Sequence, residues 1–274
     1  MSRTSPDLLL LLPAYNEEER IGPVLGDYAR FFRTEYQGKF QIVVVLNGCV
    51  DRTLEVVQGV AAEFPEIRAL DFPEPIGKGG ALIEGLRLAP TTDLIGYVDA
   101  DGATAPGAFL DLVRQCDRYD CVIGSRWLPG SVLHRSQSQQ RRVVSRGFHA
   151  FVQFLFRMGI KDTQCGAKVM RREAVEKIHS SLRIADVAFD INLLYSLKRN
   201  GFSILEHPTE WADQLGSKIQ FNRGSMGIVL SVIRLRLFYS PFYRWLRPLQ
   251  PLEAWVYRKL SAPIPRSGEP DDKP

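Results

Sequence analysis

The chain has 274 residues, of which 45% are apolar and 24% charged, with a formal net charge of +4. That length suits an α/β domain with an appendage, and the composition is that of a globular protein. No stretch reaches the roughly 18 to 20 uninterrupted apolar residues of a spanning helix, so an integral membrane protein is not expected. The small positive excess suits an anionic substrate or a membrane surface as well as nucleic acid; the motifs below imply no nucleic-acid partner.

The apolar run Leu8 to Leu12 opens the chain as a buried strand and is too short before Pro13 for a signal sequence. Further strand runs follow at Ile42 to Leu46, Ile67 to Phe72, Leu94 to Val98 and Cys121 to Gly124. Helical periodicity lies between them, around Ile21 to Phe32, Leu54 to Phe64, Ala81 to Leu88 and Ala108 to Cys116. This alternation predicts a mostly parallel sheet with helices on both faces. After Gly124 it breaks into a polar, basic, irregular stretch from Ser131 to Arg146, then an apolar helix at Phe148 to Met158. A strand at Ala167 to Met170, a helix at Phe189 to Arg199, a strand at Ser203 to Glu206 and the segment from Glu210 to Ile219 come next.

From Met226 to Leu246 the chain is rich in aliphatic and aromatic residues, punctuated by Arg234, Arg236, Arg244 and Arg247 and broken at Pro241. A helix of about fifteen residues spans about 22 Å, short of the roughly 30 Å hydrocarbon core. Residues 223–261 therefore read as amphipathic helices, lying on a membrane surface or packing on protein, and 262–274 as a disordered tail. Cys49, Cys116, Cys121 and Cys165 lack Cys-x-x-Cys or zinc spacing and read as reduced thiols of a cytoplasmic protein. His134, His149, His179 and His207 show no metal spacing. The first strand leads into Pro13-Ala14-Tyr15-Asn16-Glu17-Glu18 with neither a Gly-x-Gly-x-x-Gly turn nor a Walker A loop.

Asp99-Ala100-Asp101 directly follows a strand run. Ligands of open α/β sheets bind beyond the carboxyl ends of strands, and paired carboxylates there suit a hydrated Mg²⁺ or Mn²⁺ that also takes substrate phosphate oxygens. A solvated Asp-rich turn is the plainer alternative. Gly77-Lys78-Gly79-Gly80 combines backbone that can approach a ligand with a compact charge for phosphate. Arg126, Arg141, Arg142 and Arg146 gather in the irregular region, where guanidinium groups suit a phosphate monoester.

The ordered blocks Pro13 to Glu18, Asn47-Gly48-Cys49-Val50-Asp51-Arg52-Thr53, Gly77 to Gly80 and Asp99-Ala100-Asp101-Gly102-Ala103-Thr104 resemble family 2 glycosyltransferases of the GT-A fold. The later blocks Gly124-Ser125-Arg126-Trp127, Arg141-Arg142, Ser145-Arg146-Gly147, Asp162 to Lys168, and Trp211 with Gly216-Ser217-Lys218 are most similar to its polyprenyl-phosphate branch. Those are the dolichyl-phosphate glucosyl- and mannosyltransferases, and the glucosyl forms of the motifs fit better. The resemblance implies a catalytic domain over 1–222, an α/β Rossmann-like sheet, and inverting, metal-dependent transfer of a hexose to a polyprenyl phosphate. Glucose from UDP-glucose, at the cytoplasmic membrane face, is the expected case.

It implies roles as well. Pro13, Tyr15, Glu17, Asn47, Lys78 and Asp99 would contact the nucleotide sugar, and Asp99 and Asp101 would hold the ion. Arg126, Arg141, Arg142, Arg146, Gln164 and Lys168 would face the acceptor, Lys168 being equally readable as structural. Asp101, Asp190 and Arg126 would carry catalysis, with Asp190 serving as a base only for a hydroxyl acceptor, and otherwise orienting a sugar or capping a helix. Asp51 is readable either as a base contact or as a helix cap. The chain departs from the family pattern at Leu46-Asn47, where an Asp is usual, and at Ala103, where the mannosyl branch carries a further ligand. The rivals are a glycan-directed transferase and a non-catalytic nucleotide-sugar-binding protein. Oligomeric state is left open.

Overall fold

The computed structural model describes residues 5–133, 139–186, 188–212 and 223–240. The elements in order are β1 (Leu8–Ala14), α1 (Ile21–Glu35), β2 (Phe40–Asn47), α2 (Thr53–Glu63), β3 (Ile67–Phe72), α3 (Gly77–Leu86), β4 (Leu94–Tyr97), α4 (Pro106–Gln115) and β5 (Cys121–Ser125). They continue as β6 (Val132–Leu133), α5 (Gln139–Phe156), β7 (Lys168–Arg171), α6 (Arg172–Ile178), α7 (Phe189–Arg199), β8 (Ile204–Pro208), β9 (Glu210–Trp211) and α8 (Arg223–Phe238). The chain forms two compact units, Met1–Leu215 and Gly216–Pro274.

The first unit is built on a seven-stranded sheet in the order β3-β2-β1-β4-β7-β5-β8. All neighbours run parallel except β7, which is antiparallel to both β4 and β5. Strands β1, β2, β4 and β5 are buried on both faces, and so their sequences are continuous apolar runs rather than alternations, whereas the edge strands β3 and β8 are partly exposed. Leu8, Leu10 and Leu12 of β1 join one core cluster with Leu25, Tyr28 and Phe32 of α1 and Phe109 of α4. The opposite face meets α3, where a Cβ on Gly85 would lie 2.8 Å from Leu11 and 3.3 Å from Val45.

Helix α1 buries Ile21, Leu25, Tyr28, Ala29 and Phe32, the spacing of one helical face. Its Tyr28 hydroxyl donates to the Thr104 carbonyl at 2.9 Å and so pins the loop that follows β4. Helix α4 starts at Pro106, behind an extended Ala105, where the missing N–H of proline costs nothing.

Two expectations change. The basic stretch before Phe148 is not irregular throughout, because α5 already begins at Gln139 and places Arg141, Arg142 and Arg146 on a helix. Gln and Arg are good helix formers, but a polar run shows no apolar period to betray the helix. The pairing of β6 with β9, Val132 to Glu210 and Leu133 to Trp211, forms a separate two-stranded sheet that such short strands do not announce.

In the second unit α8 has 16 residues, with the Arg234 guanidinium 5.4 Å from the Phe238 ring centre one turn on. No helix among the described residues is long and apolar enough to cross a membrane. The expected Gly216-Ser217-Lys218 block, the continuation of the amphipathic segment through 241–261 and the tail 262–274 lie outside the described residues.

Candidate active site

The carboxyl ends of β1, β2, β4 and β5 share one rim of the sheet, and antiparallel β7 begins there. The loop after β1 and the start of α2 are bonded together. Asn16, at φ 53, accepts from the Val50 N–H at 2.9 Å, and Thr53 Oγ1 accepts from the Glu17 N–H at 2.8 Å. Asp51 accepts from the backbone N–H groups of Glu18 and Thr53 and from the Thr53 hydroxyl. Burial works to raise its carboxyl, but those hydrogen bonds outweigh it and hold the group below the ordinary range. Asp51 thus braces the start of α2 and the β1 loop.

Pro13 lies in β1 opposite Val45, and Tyr15 is half-buried just beyond it. Glu17 is gripped by Arg20 through Nε at 2.7 Å and Nη2 at 2.8 Å, a partner with no separate signal in the sequence. Asn47, at the end of β2, accepts with its amide oxygen from the N–H groups of Ile76 at 2.7 Å and Gly77 at 3.0 Å. That oxygen is committed to the start of α3. Gly77, at φ 78, and Gly79 approach the segment before α7 so closely that a Cβ would lie 2.4 Å from the Ala185 carbonyl oxygen and 2.5 Å from that of Ile184. The glycines therefore admit neighbouring backbone, and Lys78 between them extends to Asp99 Oδ1 at 2.5 Å.

Asp99 and Asp101 follow β4, with Asp101 accepting from the Ala103 N–H at 3.0 Å. Burial and the neighbouring Asp99 raise the Asp101 carboxyl, against a smaller lowering by the Ala103 N–H, Lys78 and Arg20. Gly166 backs the pair: a Cβ there would lie 2.2 Å from Asp99 Oδ2, so only glycine leaves that carboxylate room. Two hard oxygen donors that repel each other fit a divalent ion. Among the described residues no third His, Cys, Asp or Glu joins them, so substrate oxygens and water would complete its shell.

Beyond the acids lies Arg126, whose Nε and Nη2 donate to Asp162 at 2.8 and 2.9 Å, and whose backbone N–H donates to the same carboxylate at 3.0 Å. Its guanidinium carbon lies 5.0 Å from the Trp211 ring centre. Burial opposes the charge on Arg126, but the hydrogen bonds and charge of Asp162 outweigh it and raise its pKa above the ordinary value. Glu206 of β8 accepts from the N–H groups of Lys161 at 2.8 Å and Asp162 at 2.9 Å and sets the loop that carries Asp162. Ser125 Oγ, Gln164 Nε2 and Trp211 Nε1 are buried without a hydrogen-bond partner, an arrangement that demands an explanation in a native site.

Lys168 and Asp190 form a separate buried group. The Lys168 ammonium donates to Asp190 at 2.5 Å and to the Cys165 carbonyl at 2.6 Å, and the Tyr97 hydroxyl also donates to Asp190. Lys168 is fully buried at the start of β7, opposite Tyr97 of β4 and Ile123 of β5. Arg146 is exposed on α5, and Arg141 and Arg142 belong to its first turns with side chains outside the described ones. Arg20, Asp162 and Glu206 carry geometry to which the sequence reading assigned no role. The only signal for Glu206 was a carboxylate closing a strand run.

The family model described as "Glycosyl transferase family 2" matches residues 10–179. The chain belongs to glycosyl transferase family 2. Among relatives of this family 2 glycosyltransferase is a dolichyl-phosphate beta-glucosyltransferase of Dictyostelium discoideum, 33% identical over 85% of this chain and 74% of that one. The human protein of the same name is 32% identical over 84% of this chain and 75% of its own. Among solved structures, glucosyl-3-phosphoglycerate synthase of Mycobacterium tuberculosis, in complex with Mn²⁺, UDP and glucosyl-3-phosphoglycerate, superposes with a TM-score of 0.61 at 19% identity. It covers 84% of this chain and 80% of that one, a likeness of fold. The family 2 glycosyltransferase thus has the GT-A-like sheet, with the acids after β4 at its rim.

Proposed function

We propose that the protein transfers glucose from UDP-glucose to a polyprenyl phosphate, with inversion and with the help of Mg²⁺ or Mn²⁺. The observation that carries this reading is the Asp99–Asp101 pair beyond β4 on the rim that also carries Arg126 after β5, with Gly166, four residues after the Arg126 partner Asp162, packed against Asp99. The names of the relatives, matched over most of both chains, support the acceptor class.

Asp99 and Asp101 would hold the divalent ion, which would supply charge stabilisation for the departing nucleotide diphosphate. The β1 loop, fixed by Asn16, Asp51 and Thr53, presents Tyr15 and Pro13 to the nucleotide. Arg126, oriented by Asp162 and by the Trp211 ring, faces the acceptor phosphate, and the unpartnered Gln164 and Trp211 N–H groups complete its contacts. Arg146, exposed on α5, adds positive charge on the approach. A phosphate monoester is already anionic near neutral pH, so the problem is one of positioning and charge rather than of proton removal. Asp190, locked to Lys168 and Tyr97, then serves to hold β4, β7 and α7 together. The exposed Trp127, Val132, Leu133 and Phe154 support docking of this unit on a membrane surface, which the reading assigns to the cytoplasmic face.

The test incubates purified protein and Mn²⁺ with labelled nucleotide sugars, with and without polyprenyl phosphate, and follows the label into organic solvent. UDP-glucose labelling the lipid fraction is the expected result. Label appearing only in a water-soluble glycan would replace the lipid acceptor with a hydroxyl one.

A further inference from the structure

Lys78 is fixed at its backbone and ends in an ion pair. Asn47 accepts from the N–H groups just before it, and Gly79 just after it is wedged against the Ile184 carbonyl. Its side chain remains 34% exposed, a flexible four-carbon arm whose ammonium rests on Asp99 Oδ1. The ammonium pairs with the Asp99 carboxylate, and Asp101 follows two residues on in the same turn.

Lys78 thus occupies an oxygen of the carboxylate pair that would hold a divalent ion. Two cations cannot share a half-buried carboxylate without strong mutual repulsion. A nucleoside diphosphate changes the balance, because it brings negative oxygens to which an ammonium on a flexible stem can move.

Resting on the reading of Asp99 and Asp101 as the ion-holding pair, we propose that Lys78 is a resident counter-ion on Asp99 that yields its place only when the donor diphosphate arrives, so that divalent-ion and nucleotide binding are coupled. Lys78 then exchanges one carboxylate for the diphosphate while the ion takes over Asp99. The site carries compensating charge in both states, and an ion without nucleotide is disfavoured. Such coupling is reciprocal: the nucleotide strengthens ion binding by the same factor as the ion strengthens nucleotide binding.

The experiment measures Mn²⁺ binding to the full chain, by the electron paramagnetic resonance of free Mn²⁺, with and without UDP. In the unaltered protein UDP is expected to tighten Mn²⁺ binding by at least about tenfold. Lys78→Met should bind Mn²⁺ alone about tenfold more tightly than the unaltered protein and show a correspondingly smaller gain from UDP. Lys78→Gln, which keeps the length and a donor but not the charge, should behave like the methionine variant and replaces it if that chain does not fold. Equal Mn²⁺ affinity without UDP in the unaltered protein and the neutral variants would overturn the exchange while leaving the ion site intact. Failure of all of them to bind Mn²⁺ even with UDP would overturn the ion-holding reading and the exchange with it.

Discussion

The Arg126 guanidinium spans both oxygens of Asp162, at 2.8 and 2.9 Å, in a pair whose side chains are 16% and 2% exposed. A buried bidentate pair of this kind holds its arginine in one orientation. Removing the arginine leaves a buried charge, with an expected loss of about 3–5 kcal/mol in Arg126→Met by urea unfolding near neutral pH.

The loss should depend on pH. Burial pushes the Asp162 carboxyl up, but the Arg126 hydrogen bonds and charge bring it below its ordinary value. A depressed carboxyl contributes stability that is present above its unfolded value, about 3.9, and is lost as pH falls through the folded value. Without the guanidinium, burial is opposed only by the backbone N–H of residue 126 and the charge of Lys168, so Asp162 loses most of its depression. The stability difference between the two proteins should therefore shrink below about pH 4. A difference constant from pH 7 to pH 3 would show that Asp162 does not carry it.

Arg126→Lys keeps the charge but not the planar fork. It is expected to raise the KM for polyprenyl phosphate by roughly tenfold or more while changing UDP binding little. Initial-rate kinetics with each substrate varied would separate the two.

Asp101→Asn should lower kcat by at least about a hundredfold, since one of the two ion-holding carboxylates is gone. Chelation of the unaltered enzyme should abolish transfer and added Mn²⁺ should restore it, as followed by lipid labelling. Activity that persists through chelation would exclude the ion from the reaction.

Asp190→Asn removes the carboxylate that pairs with the fully buried Lys168. It is expected to cost about 3–5 kcal/mol of stability. With a lipid phosphate as acceptor, the folded fraction should still transfer glucose. Complete loss of transfer in a protein with an unchanged melting temperature would instead favour a base acting on a hydroxyl acceptor.

Gly79→Ala places a methyl 2.5 Å from the Ile184 carbonyl and 2.7 Å from the backbone of Ala185. Overpacking of this kind costs about 1–3 kcal/mol, measurable as a lowered melting temperature. The displaced helix start should also disturb Lys78 and raise the KM for UDP-glucose.

The parallel half of the sheet was legible because strands buried on both faces write themselves as unbroken apolar runs, such as Ile42 to Leu46. The direction of β7 was not, since Ala167 to Met170 has the same apolar character whichever way it runs and only its neighbours decide. Asp99 and Asp101 could be singled out because they follow a strand directly. The commitments of Asn47 to the α3 backbone and of Arg20 to Glu17 depend on loops folding back over one another, which residue types alone do not reveal. Asp51, readable in two ways from sequence, is drawn into bracing a helix start.

The reversed strand β7 starts where its parallel neighbours finish, so the residues just ahead of it are delivered to the same edge as the acids after β4. Thr163 to Gly166 thereby reach that edge through a connection separate from the β1 and β2 turns. Exchanging that one connection is a route to redirecting what receives the sugar while keeping what gives it.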